Sequence, residues 1–407
     1  MSSQHENLSG FGSVAIHSGH EKDSANAHLT PIYASSTYVF DSAEQGMRRF
    51  SKEEKGYIYS RWGNPTMTEA EEKISALESF QILKNGEPLQ LKSILHSSGM
   101  AAISALLLGA LKSGDKILSH FSLYGGTQEL MDKVLPPLGI EAIIVDLRDL
   151  NKAEEAIKSD DKIKLLYLET PANPTIQCVD IAELTSLAKR NNLTVAVDNT
   201  FATPYLQQPF KYDVDFVFHS TTKFLNGHGT AIGGVIVGKD LEFMNGRMEK
   251  VHRLLGGNSN PFDAFLLTQG IKTLELRMER HCSNAMLVAK FLDQHRSVSN
   301  VNYLGLTSHP DHQTANKQMS HPGAMLSFEL KNGLEAGKNF INKLQMCVRA
   351  VSLGTCDTLL SHPASMTHFG VPKEKREKYG ITDGLIRMSV GIENIDDILD
   401  DLDQALK

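Results

Sequence analysis

The stretch LTVAVDNTFATPYLQQPFKYDVDFVFHSTTK, residues 193–223, decides the reading of this chain. Two short apolar runs, Leu193–Val197 and Phe216–His219, read as strands buried on both faces. Asp198 closes the first run, and Lys223 stands just past the second. Working outward, the same kind of run recurs at Lys116–His120, Glu141–Val145, Lys164–Leu168 and Gly234–Val237. Helical periodicity lies between them. It begins near Thr66 with Ala70, Ile74, Leu77 and Glu78, and returns within Asp180–Lys189 at Ile181, Leu184, Leu187 and Ala188. The segment SSGMAA (97–102) opens the helical run AAISALLLGAL. Strands of this kind separated by helices predict an α/β fold with a mostly parallel central sheet covered on both faces. In such sheets ligands bind outside the carboxyl ends of the strands, where Asp198 and Lys223 fall.

At 407 residues the chain exceeds the size of one ordinary core, and more than one domain is expected. Residues 1–65, including PIYASSTY (31–38), have little periodicity and read as an extended N-terminal arm. Residues 66–258 hold the strand and helix alternation. Residues 259–407 read as a smaller α+β domain, with a helix over Asp263–Arg280 continuing from Ser283 to His295. Its strands are expected at Ala324–Glu329, Ala350–Leu353 and Ile386–Val390. An amphipathic helix, Ile395–Leu406, follows, with its Asp residues on one face. No internal repeat is visible.

A net charge of −7 on this length argues against nucleic-acid and anionic-membrane partners. The four cysteines, at 178, 282, 347 and 356, lie far apart and form no C-x-x-C pair, which suits reduced thiols in a cytosol. The start, MSSQHENLSGFGS, lacks the basic and apolar regions of a signal peptide, and no apolar run is long enough to span a bilayer. A soluble, cytoplasmic protein is expected. The histidines number 16, but none falls at ligand spacing with Cys or Glu, so no metal is expected.

Asp198 and Lys223 point to one chemistry. A lysine amine can condense with an aldehyde, and a carboxylate can pair with a protonated pyridine nitrogen. Together they are the polar anchors of pyridoxal 5′-phosphate (PLP). Singly, each has a bland explanation, as a turn or helix cap and as a surface cation. The start of the helix at Gly99 and Met100 supplies free N–H groups and the positive end of a dipole, an anion site that Gly99 lets the backbone approach. Ser220 and Thr222 flank the lysine and can donate hydroxyls to the same phosphate. The glycines of GHGTAIG (227–233) lack G-x-G-x-x-G spacing and do not directly follow a strand, so they do not read as a dinucleotide site.

A family resemblance rests on YSRWGNPT (59–66), SGM (98–100), LYGGT (123–127), ETPANP (169–174), VDNTFATP (197–204), HSTTK (219–223) and SHPASMTH (361–368). In this order they resemble the Cys/Met-metabolism branch of fold-type I PLP-dependent transferases. That branch includes cystathionine γ-lyases and γ-synthases, methionine γ-lyases and O-acylhomoserine sulfhydrylases. The resemblance implies that Lys223 binds the cofactor and then shuttles protons, while Asp198 keeps the pyridine nitrogen protonated. It implies that Gly99, Met100, Ser220 and Thr222 hold the phosphate, joined by Tyr59 and Arg61 from a neighbouring subunit. Tyr124 would stack on the ring and act as acid or base at the leaving group. Arg387 would clamp the substrate α-carboxylate, and Asn173 and Ser352 would orient cofactor and substrate. Without the resemblance, Tyr124 reads as a core aromatic and Arg387 as half of a surface ion pair. A shared site implies a homo-oligomer, and the resemblance suggests a tetramer built as a dimer of dimers.

Three positions bear on the substrate. Relatives acting on cystathionine tend to carry Glu, Arg and Glu where this chain has Ile58, Glu129 and Val351. Unpaired distal charges of cystathionine against Ile58 and Val351 would cost several kcal/mol, so poor activity on it is expected. HPASMTH (362–368) and GIKTLELRMERHC (270–282) resemble methionine γ-lyases, and HSTTKFLNGHGTAIGG (219–234) resembles the sulfhydrylases. Methionine γ-lyases often have a cysteine directly after Tyr-Gly, and that position is Gly126 here. The expected reaction is γ-elimination from L-methionine. The alternative is O-acetyl- or O-succinylhomoserine sulfhydrylation, with cystathionine chemistry behind it. An aminotransferase of the same fold and an inactive scaffold are the alternatives from other classes.

Overall fold

The computed structural model describes residues 8–21 and 23–407, so the first seven residues of the expected arm, and residue 22, lie outside it. The larger sheet has seven strands: β1 (Lys92–His96), β2 (Lys116–His120), β3 (Glu141–Val145), β4 (Ile163–Glu169), β5 (Thr194–Asp198), β6 (Phe216–His219) and β7 (Gly234–Gly238). Their spatial order is β1-β7-β6-β5-β4-β2-β3. Strands β3, β2, β4 and β5 pair in parallel, and β1 pairs antiparallel with β7. The expected α/β architecture is present. β1, with the sequence KSILH, is an addition to the strands expected.

Packing groups the chain into two compact units interleaved in sequence. The first comprises Met1–Ala110, Phe218–Thr222 and Thr230–Thr273; the second comprises Leu111–Val217, Lys223–Gly229 and Leu274–Lys407.

In the first unit the helix α1 (Pro65–Glu78) starts where Asn64 accepts the N–H of Thr66 and proline occupies the first helical position. Its Ala70, Ile74, Leu77 and Glu78 are buried, as expected, and Met67 joins them. Helix α2 (Gly99–Ala110) is capped by Ser98, whose Oγ accepts the Ala101 N–H at 3.0 Å. The arm is less extended than its composition suggests, because Phe11–His17 and Ala43–Phe50 are helical. Ser42 accepts the Gln45 N–H, Glu44 lies in the first turn and Arg48 and Arg49 in the last, so local capping and dipole complementarity build the second of these without a long apolar period.

In the second unit Ile181–Arg190 is helical, and Asp180 is its cap, accepting the Glu183 N–H at 3.0 Å. A second sheet, within the expected α+β segment, comprises β8 (Val298–Asn302), β9 (Met325–Leu330), β10 (Val348–Arg349), β11 (Leu359–Ser361) and β12 (Leu385–Ser389), in the order β8-β9-β12-β11-β10. Three expectations are corrected here. Residues 350–353 form no strand, because the carbonyls of Val351 and Ser352 accept from Arg387 Nη2 instead of from a ladder. The long helices break near Thr273, not near residue 281. They run Pro261–Ile271 and Leu274–Asp293, and the second carries Cys282 on its buried face. Along Ile395–Leu406 the Asp residues do not all share the outer face. Asp401 is buried and accepts the N–H groups of Gln345, Met346 and Cys347 at 2.9, 3.1 and 2.8 Å. Among the described residues no helix is long and apolar enough to cross a membrane.

Candidate active site

Strand ends bring most of the expected site residues of the second unit together. β4 and β5 pair in parallel with Glu169 directly across from Asp198, so the two carboxyls stand on one face at the carboxyl ends of adjacent strands. Asp198 Oδ1 accepts the Thr200 N–H at 2.9 Å. Glu169 accepts the Tyr124 N–H through Oε2 at 2.7 Å and the Asn173 N–H through Oε1 at 3.1 Å. Burial pushes the Glu169 carboxyl upward and the charge of Asp198 adds to the push, while the two N–H donors oppose it.

Asn173 in turn meets Arg387, whose Nη1 donates to Asn173 Oδ1 at 3.2 Å. Nη2 donates to the carbonyls of Val351 and Ser352 at 2.9 and 2.8 Å. Arg387 is only 4% exposed, and its Nε is buried without a partner. Among the described residues its partners are this amide oxygen and these two carbonyls, with no carboxylate. Desolvation pulls its guanidinium down to about 10, partly offset by Tyr124. Lys223 Nζ donates to Ser352 Oγ at 3.0 Å. Burial, and then the positive charge of Arg387, pull the Lys223 amine down to about 8. A cavity of about 540 Å³ is lined by Tyr124, Glu129, Asn173, Val351, His368 and Arg387. Tyr124 is 48% exposed there, so it is no core aromatic, and Arg387 is no surface residue. Glu129 pairs with Lys133 at 2.6 Å, one turn along the chain.

The first unit holds the expected phosphate residues. The N–H groups of Gly99 and Met100 belong to the first turn of α2, where no intrahelical acceptor exists. A Cβ on Gly99 would lie 2.9 Å from Ser220 Cβ and 3.1 Å from its Oγ, and one on Gly234 would lie 2.3 Å from the Ser98 carbonyl oxygen. The glycines thus let the helix start pack directly against Ser220 and β7, and the free amides and hydroxyls gathered there are a donor set that fits a phosphate. Thr222 Oγ1 accepts the Gly233 N–H at 3.1 Å and donates to the Gly233 carbonyl at 3.3 Å. Behind Ser220 the preceding residue, His219, is fully buried, with Nε2 at 2.6 Å from Glu78 Oε1.

Tyr59, Arg61 and Ile58 also belong to the first unit. Arg61 donates to the Arg253 carbonyl and lies over the rings of Tyr59 and Trp62 at 5.5 and 5.9 Å. Ile58 lines a separate cavity of about 790 Å³ beside Trp62 and Glu71. Sequence reasoning assigned no role to Glu169, although the signal that found Asp198, a carboxylate ending a buried strand, applies to it equally.

Similarity to known proteins agrees with this chemistry. Residues 12–407 match the family described as Cys/Met metabolism PLP-dependent enzyme. The chain is 48% identical over 400 residues to the L-methionine gamma-lyase of Fusobacterium nucleatum subsp. nucleatum, covering 98% of both chains. It is 45% identical over 399 residues to that of Porphyromonas gingivalis, covering 98% of this chain and 97% of the relative. A cystathionine beta-lyase of Coxiella burnetii is 40% identical over 408 residues and is covered, like this chain, in full. Among solved structures, metB from Corynebacterium glutamicum superposes with a TM-score of 0.89 at 40% identity, over 98% of each chain. The chain belongs to the Cys/Met-metabolism family of PLP-dependent enzymes.

Proposed function

We propose that the protein is a carbon–sulfur lyase that cleaves L-methionine, with water, to methanethiol, 2-oxobutanoate and ammonia. The observation that carries the reading is Arg387: a buried guanidinium without a carboxylate partner, on a cavity shared with Tyr124 and beside the amine-holding Ser352. A cation held this way awaits an anion, and an amino-acid α-carboxylate suits its fork.

When bound, PLP supplies an aldehyde and an electron-withdrawing pyridinium ring. Asp198 would hold the proton on the ring nitrogen. Gly99 and Met100 N–H groups and the hydroxyls of Ser220 and Thr222 would hold the phosphate, with Tyr59 and Arg61 contributed by a neighbouring subunit. Lys223, with its amine lowered to about 8, is neutral often enough near pH 7–8 to take the substrate's α-proton. Tyr124 donates a proton to the departing sulfur. Asn173 and Ser352 fix Arg387 and Lys223 in orientation. Val351 on the cavity, and Ile58 from a second subunit, would leave a distal ammonium or carboxylate unpaired, which favours a methylthio group over a longer charged substituent. Similarity to proteins named L-methionine gamma-lyase supports the same choice.

We further take residues 66–258 as the PLP-binding domain, 259–407 as the C-terminal domain and 1–65 as an arm that reaches a second subunit. The assembly is then a cytoplasmic homotetramer. The deciding experiment incubates the enzyme with methionine, cystathionine, or O-acetylhomoserine with and without sulfide, and measures thiol, 2-oxo acid and homocysteine. Methanethiol and 2-oxobutanoate from methionine support the proposal. Homocysteine formed only from O-acetylhomoserine and sulfide would replace it with a sulfhydrylase.

A further inference from the structure

Three neighbouring strands of the second unit, β2, β4 and β5, deliver their carboxyl-terminal ends to one residue. Glu169 ends β4. One of its oxygens takes the amide of Asn173 in its own loop, at 3.1 Å, and the other takes the amide of Tyr124 in the loop after β2, at 2.7 Å. Across the register stands Asp198, ending β5. Asn173 passes the constraint on, because its Oδ1 accepts from Arg387. We propose that Glu169 is a positioning residue, whose two carboxyl oxygens clasp the Tyr124 and Asn173 loops so that Tyr124 and Arg387 meet the substrate from fixed positions. This rests on the lyase reading above.

An anchor chosen for stability alone would not be an acid at this place. Glu169 is 5% exposed and has a second carboxylate beside it, and both burial and that neighbour disfavour its charge. A carboxylate is nevertheless the side chain that offers acceptors in two directions at once. Glutamine offers one acceptor and turns an N–H donor towards the other loop's N–H. The clasp is therefore worth its electrostatic cost only if both loops must be held together. Ser122 Oγ meets Thr175 Oγ1 at 2.9 Å and also ties the two loops, but Tyr124 is 48% exposed and its own amide is held by Glu169.

The test uses the holoenzyme carrying Glu169→Gln. Its amides in peptides spanning 121–128 and 170–176 should exchange with deuterium faster, on the order of 10-fold for the loss of one buried hydrogen bond, while β5 exchanges as in the wild type. PLP trapped on Lys223 by borohydride should remain at wild-type level. Thiol release from methionine should fall on the order of 10- to 100-fold. At saturating methionine, where a displaced Arg387 no longer limits binding, exchange of the methionine α-proton with D2O, which needs Lys223 and not Tyr124, should fall much less. Unchanged amide exchange in both loops, or α-proton exchange and thiol release falling together, would overturn the proposal. Should Glu169→Gln not fold, Glu169→Asp keeps an acid but reaches only one loop, and the same readouts decide. If the wild-type enzyme does not act on methionine, the lyase reading fails, while the deuterium exchange still judges the clasp.

Discussion

Ser352 holds the amine of Lys223 with its hydroxyl at 3.0 Å and gives its carbonyl to Arg387 at 2.8 Å. One short residue thus keeps two cations within reach of each other, and burial first, then the charge of Arg387, lower the amine's affinity for its proton.

The first prediction follows from that charge. Condensation with an aldehyde needs the neutral amine, and Lys223 becomes neutral as pH rises through about 8. Apoprotein mixed with PLP should therefore develop its cofactor absorbance faster as pH rises through about 8, and no faster above it. Arg387→Gln removes a positive neighbour and should move the midpoint upward. Rates that do not depend on pH across this window would refute the assignment of Lys223.

Arg387 itself offers a second test. A charge-assisted pair with a carboxylate contributes about 1.5–3 kcal/mol, so Arg387→Ala should raise KM for methionine on the order of 10- to 100-fold. Arg387→Lys should recover little of it, because a point charge cannot reproduce the fork that reaches Asn173 and two carbonyls. An unchanged KM in steady-state assays would place the α-carboxylate elsewhere.

Sharing of sites between subunits is tested by complementation. On the proposed reading Arg61→Ala would remove a phosphate contact and Lys223→Ala the cofactor lysine, and each alone should be nearly inactive. After subunit exchange the mixed oligomers should regain part of the activity, since some sites then combine two intact contributions. Exchanged oligomers without recovery would show that each subunit builds its own site.

Substrate choice gives the fourth. Val351 lines the cavity with Arg387, so Val351→Glu places a carboxylate where cystathionine's distal ammonium would lie. The ratio of kcat/KM for cystathionine over methionine should rise by on the order of 10-fold, the scale of a single gained charge pair. Efficient cystathionine turnover by the unaltered enzyme would contradict the apolar reading of Ile58 and Val351.

Local signals made much of this legible in advance. Asp198 and Lys223 could be found because buried strands announce their ends, and Gly99 because a strongly apolar helix announces its start. Pairings over long distances leave no such mark. Arg387 and Asn173 are 214 positions apart, and nothing in either segment names the other. The same blindness misread residues 350–353, whose apolar pattern suits a strand but whose carbonyls are claimed by Arg387. Asp401 looked like a member of a solvated acidic face because periodicity reports which face is polar on average, and it cannot see three amides waiting beneath one residue.

That buried carboxylate also sets an order of events during synthesis. Asp401 fastens the turn at Gln345–Cys347 from up to 56 residues downstream. The turn leads through β10 into Val351 and Ser352. At about 5–20 residues per second the ribosome needs on the order of several seconds to cover such a gap. The strands ending at Asp198 and His219 are complete long before then. A growing chain should thus complete these strand ends first, so nascent protein stalled short of residue 401 would carry Lys223 while the Val351 and Ser352 carbonyls that receive Arg387 were still unset.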